Sequence, residues 1–173
     1  MILRPQAIRM VLAHGLPVVF EVTGESMAPP IERGHKLRVE PVFGDLQVGE
    51  IVVIALGEGQ RDDLTLHRVM HLFSDGGQRF VIHQGDAPTS AFATCARERV
   101  IGRATGFVSP RLQRLPTLAN LTPEARARFA RRRRACALFS LGRRMMSSLR
   151  LGDRKLTRRL GRAFRMLART MAR

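Results

Sequence analysis

Two stretches decide the reading of this chain: Thr23-Gly24-Glu25-Ser26-Met27-Ala28-Pro29 and Leu64-Thr65-Leu66-His67-Arg68-Val69. Ser26 and His67 are 41 positions apart (67 − 26). A serine hydroxyl is a poor nucleophile at neutral pH and becomes useful when a neighbouring base takes its proton. A histidine titrates near ~6.5 and is mostly neutral at pH 7, so it can be that base. Alone, the first stretch is a surface turn and the second an ordinary strand. Together, a Gly-x-Ser-Met-x-Pro turn, a hydrophobic strand and a His-Arg-Val strand point to an activated serine.

Working outward, the segments 17–22, 36–40, 50–56, 64–73, 79–83 and 99–108 are rich in Val, Ile, Leu and Phe, with Gly, Asp and Pro between them. Short strands at near-regular spacing predict a mainly β fold, a small coiled sandwich or partly open barrel. On the same reading, Met10 to Val22 belongs to the strand leading to Ser26. About 100 residues suffice for one modest core. Val22, Pro29 and Ile31 are expected either in that core or lining substrate pockets.

The order Ser26, Pro29, Ile31, Gly34, then Val48-Gly49-Glu50-Ile51-Val52-Val53-Ile54, His67-Arg68-Val69, Phe80-Val81-Ile82-His83-Gln84-Gly85-Asp86 and Val100-Ile101-Gly102-Arg103 resembles the signal peptidase I and LexA-type serine peptidase superfamily. The resemblance covers about residues 17 to 110 and is nearest the archaeal and endoplasmic-reticulum branch, whose base is a histidine. Other members pair the serine with a lysine on the strand that here carries His67. The only lysines are Lys36, too early for that strand, and Lys155, in the basic tail. A Ser-His dyad is therefore the expected machinery.

The resemblance implies a serine endopeptidase acting on a protein or peptide that binds as an added strand beside Ser26. Gly24, Met27 and Pro29 are the expected oxyanion and substrate-binding positions. The backbone N–H of Ser26, with a neighbouring amide, would hold the oxyanion. Asp86 has two readings, as the acid that orients His67 or as the cap of a Gly-Asp turn. The further aspartate of eukaryotic relatives is missing from Ala87-Pro88-Thr89-Ser90-Ala91-Phe92, and Gly34-His35 stands where relatives have Gly-Asp. Glu25 is closer to the repressor branch. The alternative function is an inactive peptide-binding or LexA-like regulatory module. Self-cleavage in the LexA manner is not expected, because only 25 residues precede Ser26 and the chain has neither Ala-Gly nor Cys-Gly.

Charge divides the chain near residue 115. Residues 1–110 hold 11 Lys+Arg and 12 Asp+Glu, and residues 111–173 hold 19 and 2, so the net charges are −1 and +17. The expected organisation is a peptidase domain over 1–115 and a strongly basic helical extension over 116–173. Thr122 is placed to cap a helix, with Pro123 in its first turn and Glu124 beside its positive end. A second helix is expected after Asp153, with Leu156, Leu160, Phe164, Leu167 and Met171 on one side and Arg158, Arg159, Arg162, Arg165 and Arg169 on much of the rest. Residues 123–173 suit an anionic membrane surface, an acidic protein or leader peptide, or nucleic acid. Nucleic acid has the least support, because the chain has no Trp or Tyr to stack on bases.

No stretch approaches the ~20 apolar residues of a membrane-crossing helix. The expected location is the cytoplasm, with peripheral contact to the inner membrane face. General removal of secretory signals then fits less well than cleavage of one particular precursor. No cofactor or metal is expected. His67 and His71 are separated by Arg-Val-Met, not by the pattern of a zinc helix. His14, His35 and His83 have no evident partners, and Cys95 and Cys136 suggest neither a disulfide nor a catalytic thiol.

Overall fold

A computed structural model describes residues 5–56, 64–108 and 115–148, together with Met166. Its centre is one seven-stranded antiparallel sheet, in spatial order β1-β2-β7-β3-β4-β5-β6. The strands are β1 (Val18–Glu21), β2 (Lys36–Glu40), β3 (Ile51–Ala55), β4 (Leu64–Asp75), β5 (Gln78–Gln84), β6 (Ala93–Ala96) and β7 (Val100–Phe107). Strands β1 and β6 are its two edges, so it curls as an open half-barrel and does not close. The fold is mainly β, as the alternating segments predict. Strands β4 and β5 form a hairpin over Asp75-Gly76-Gly77-Gln78. Gly76 and Gly77 both take positive φ, 58° and 80°, as the twist of a two-residue turn demands.

Met10 does not continue a strand. It lies in a helix, α1 (Pro5–Ala13), which precedes β1. Ile8 and Leu12, four apart, place their side chains in the core with Val39, Val53 and Leu66. Gly15 ends the helix at φ 79°: its N–H donates to Leu12 O, and the Leu16 N–H donates to Val11 O. That is the bonding of a left-handed glycine cap. The helix crosses β7 at Gly102, where a Cβ would meet Leu12 Cδ1 at 3.0 Å and Val39 Cγ1 at 2.5 Å. Strand β6 was also not expected, because Ala93-Thr94-Cys95-Ala96 carries little apolar signal.

The second helix, α2 (Pro123–Ser148), starts where the cap residue predicts, with the Ala125 N–H donating to Thr122 Oγ1 at 3.2 Å. It packs against β4. Cys136 is buried with Met70, Phe73 and Ile82, and Phe129 and Phe139 flank them. Ser140 Oγ lies 3.0 Å from His71 Nε2, and Arg143 sits over the Phe80 ring at 4.2 Å while pairing with Asp75 at 3.4 Å. Helix α2 of the basic extension thus packs on the sheet. No described helix is long and apolar enough to cross a membrane. The helix expected after Asp153 lies outside the described residues except for Met166, which is helical.

Candidate active site

Ser26 lies in the tight turn that follows β1. The turn is held from both sides. Val22 N–H donates to His35 O and Gly34 N–H to Val22 O, while Ala28 N–H donates to Glu25 O and Ile31 N–H to Met27 O. Met27 and Ile31, four apart in this coiled segment, are both sunk in the main core. Ser26, just before Met27, is left half-exposed. The Ala28–Pro29 peptide is cis.

The end of β5 closes on the same turn. Ala87 N–H donates to Ser26 O at 2.9 Å. A Cβ on Gly85 would collide with that carbonyl oxygen and with Ser90 Oγ, so glycine permits the approach. Ser90 Oγ in turn accepts from Gly85 N–H at 3.0 Å, and Ser90 O accepts from Gln84 Nε2. Among the described residues, neither the Ser26 N–H nor the Met27 N–H donates to a backbone carbonyl. Of the other expected binding positions, Gly24 is exposed and Pro29 lines a cavity of about 360 Å³. The Met27 side chain is core, so only its backbone can serve a substrate. Val22 and Ile31 are core as well.

His67 stands on β4 opposite Val52 of β3. Its Nδ1 lies 2.8 Å from Nδ1 of His83 on β5. His83 is opposite Val69, so the two rings meet diagonally across the ladder. His83 thus has a partner that its sequence setting did not reveal. His35, also expected to lack one, accepts from Glu32 N–H through Nδ1 and packs edge-on to Phe107. Burial lowers the pKa of His67, partly offset by the charge of Asp86. Burial and the neighbouring His67 push His83 down to about 4. Both rings are neutral at pH 7. No hydrogen bond joins the Ser26 hydroxyl to His67 among the described residues. Both are nonetheless tied to the end of β5, Ser26 through Ala87 and His67 through His83.

Asp86 does not bond to His67. Arg68, next to His67 but facing the other side of the sheet, takes both carboxylate oxygens: Nε donates to Oδ1 at 2.9 Å and Nη2 to Oδ2 at 2.6 Å. Arg68 Nη1 donates to Gly49 O at 2.8 Å. Arg68 is 1% exposed, and this fork-to-fork geometry is what makes such burial tolerable. Asp86 reaches His67 through its field alone.

One residue of the site had no signal in the sequence. Arg132 of α2 lies within the run Arg131 to Arg134, yet it alone of the four is buried. Its guanidinium donates to Gly85 O, Ala87 O and Pro88 O at 3.0 to 3.3 Å. It clamps the turn that holds Ser26. The cavity beside Pro29 lies between this turn, Met70, Asp86 and the α2 residues Arg128, Phe129 and Arg132.

Other reactive groups are placed differently. Burial raises the thiols of Cys95 and Cys136 to about 11 and about 12, and both are unbridged. Among the described residues no three His, Cys, Asp or Glu side chains cluster as metal ligands. Lys36 is on β2, 4.0 Å from Glu21.

The model of the Peptidase S24-like family matches residues 8–105, which contain the Ser26 turn, β4 and the end of β5. No curated protein and no solved structure matches the chain. The chain belongs to the Peptidase S24-like family.

Proposed function

We propose that the protein is a serine endopeptidase of the histidine-base type, with Ser26 as nucleophile and His67 as general base, acting on a particular protein or peptide precursor. The observation that carries this reading is the convergence on the end of β5: Ala87 holds the Ser26 carbonyl at 2.9 Å, and His83 holds the His67 ring at 2.8 Å. The family supports peptidase chemistry. The position of Lys36, engaged with Glu21, supports a histidine and not a lysine as the base.

The steps follow from the groups present. Ser26 Oγ attacks the scissile carbonyl carbon while its proton passes to His67 Nε2, the nitrogen not facing His83. The oxyanion forms near the N–H groups of Ser26 and Met27. The C–N bond breaks, and His67 returns the proton to the departing amine. Water then attacks the acyl-enzyme, its proton passing to His67 and on to Ser26 Oγ as the acid leaves. Catalytic hydrogen bonds are often long without substrate and tighten when it seats. The missing Ser26–His67 bond belongs to that pattern, although it is also what an inactive peptide-binding module would show.

Labelling with a fluorophosphonate separates the two. Stoichiometric labelling of the wild type, lost in Ser26→Ala and in His67→Ala, is the expected result. Loss of the nucleophile should cost roughly 10⁶ in turnover of a cleavable peptide. A wild type that is folded and inert to the probe would establish the binding module instead.

A further inference from the structure

A histidine that accepts a serine proton through one nitrogen must carry its own proton on the other. Something has to hold that second N–H, both to select the tautomer and to steady the imidazolium that forms. The acid in the neighbourhood makes no such bond: Asp86 turns its two oxygens to Arg68, and its bond partner is not His67. The atom facing His67 Nδ1 is His83 Nδ1, at 2.8 Å. We propose that His83 is the positioning residue of the site, its Nδ1 lone pair accepting the Nδ1–H of His67 so that His67 Nε2 is left free for the serine proton. This inference rests on the Ser26–His67 reading.

The contact allows two arrangements of protons when both rings are neutral. In one, His67 donates to His83, and His67 Nε2 is a lone pair. In the other, His83 donates to His67, and His67 Nε2 carries the proton, so the base is disabled. Once His67 is protonated only the first arrangement remains, since an imidazolium has no lone pair. The hydrogen bond is then charge-assisted and stronger than in the resting state. A bond that strengthens as the transition state forms accelerates the reaction.

The fold keeps His83 suited to this role. It lies in the run Val81–Gln84, buried throughout, and is 1% exposed. Burial and its neighbour hold it neutral, so one of its two ring nitrogens is an acceptor at pH 7. Its Nε2 has no hydrogen-bond partner among the described residues. A buried polar atom left unpaired is costly for a purely structural residue. Leu or Phe would fill the same place without it.

The test uses the full-length protein and three forms: wild type, His83→Phe, which keeps the bulk and removes the acceptor, and His83→Gln, whose amide oxygen restores it. Nitrogen-15 shifts of the His67 ring report its tautomer, and fluorophosphonate labelling of Ser26 reports its competence. In the wild type His67 is expected to carry its proton on Nδ1. His83→Phe should move that proton toward Nε2 and slow labelling by about 10- to 100-fold, and His83→Gln should recover most of the loss. A wild-type His67 protonated on Nε2 would overturn the proposal. So would a folded His83→Phe that keeps the wild-type tautomer and labels within about threefold of it. The ring shifts need no turnover, so a wild type that fails to label refutes the peptidase reading without deciding this one. Should His83→Phe not fold, the wild-type tautomer and the His83→Gln rate decide it.

Discussion

His67 and Arg68 are neighbours on β4, yet the pleat sends them to opposite faces of the sheet and they meet opposite electrostatic conditions. Arg68 is 1% exposed, and Asp86 and Gly49 O satisfy three of its donors. Burial lowers the pKa of His67, which faces another neutral ring. The difference separates two tasks. The charged pair fixes the turn after β5, which is a matter of structure. On the proposed function, the neutral pair keeps a proton acceptor in reserve, which is a matter of chemistry.

The sharpest way to break the comparison is on the charged side. Arg68→Ala should strand the Asp86 carboxylate and cost about 3–5 kcal/mol of stability, read as a fall in the urea midpoint. The double variant Arg68→Met, Asp86→Leu should be markedly more stable than the single one, since neither charge is left alone. If single and double variants melt together, the pair is not holding the turn.

The neutral side breaks with acid. In the unfolded chain a histidine titrates near ~6.5, and in the fold His83 titrates at about 4. The unfolded state therefore binds the proton more readily. Stability should be fully present above pH ~6.5 and lost as the pH falls toward about 4. His83 alone should contribute a slope of up to about 1.4 kcal/mol per pH unit in that window. Urea titrations at several pH values measure it, and His83→Gln should flatten the slope. The smallest effect is remote from both pairs. Thr122→Ala removes the acceptor for the Ala125 N–H and should cost about 1 kcal/mol, seen as a small drop in melting temperature.

Much of this arrangement was legible in the chain. Strands β2, β3, β4, β5 and β7 announce themselves through Val, Ile and Leu at close spacing, and Thr122-Pro123-Glu124 announces α2. Helix α1 was hidden because Pro5–Ala13 is short and runs through His14 and Gly15 straight into the apolar Pro17–Val22. Strand β6 was hidden because two alanines, a threonine and a cysteine give no period. The His67–His83 contact was beyond reach for a different reason. It depends on register, and the ladder slips between Val69 and His71, so counting alternate residues does not place the rings. The partner of Asp86 was out of reach because its place in a Gly-Asp turn says nothing about which of two adjacent β4 side chains it will meet. Arg132 is invisible among four arginines until a helix phase chooses one of them to face inward.

That phase has a thermodynamic consequence. Arg132 joins α2 to the carbonyls of residues 85, 87 and 88, and Ala87 joins the same turn to Ser26. Helix docking and the order of the Ser26 turn are thus linked through shared hydrogen bonds. On the proposed function, any preference of a peptide at Ser26 for the docked helix would be returned in equal measure as a preference of the docked helix for the peptide. The arginines on the outer face of α2 are in this sense a second handle on the site.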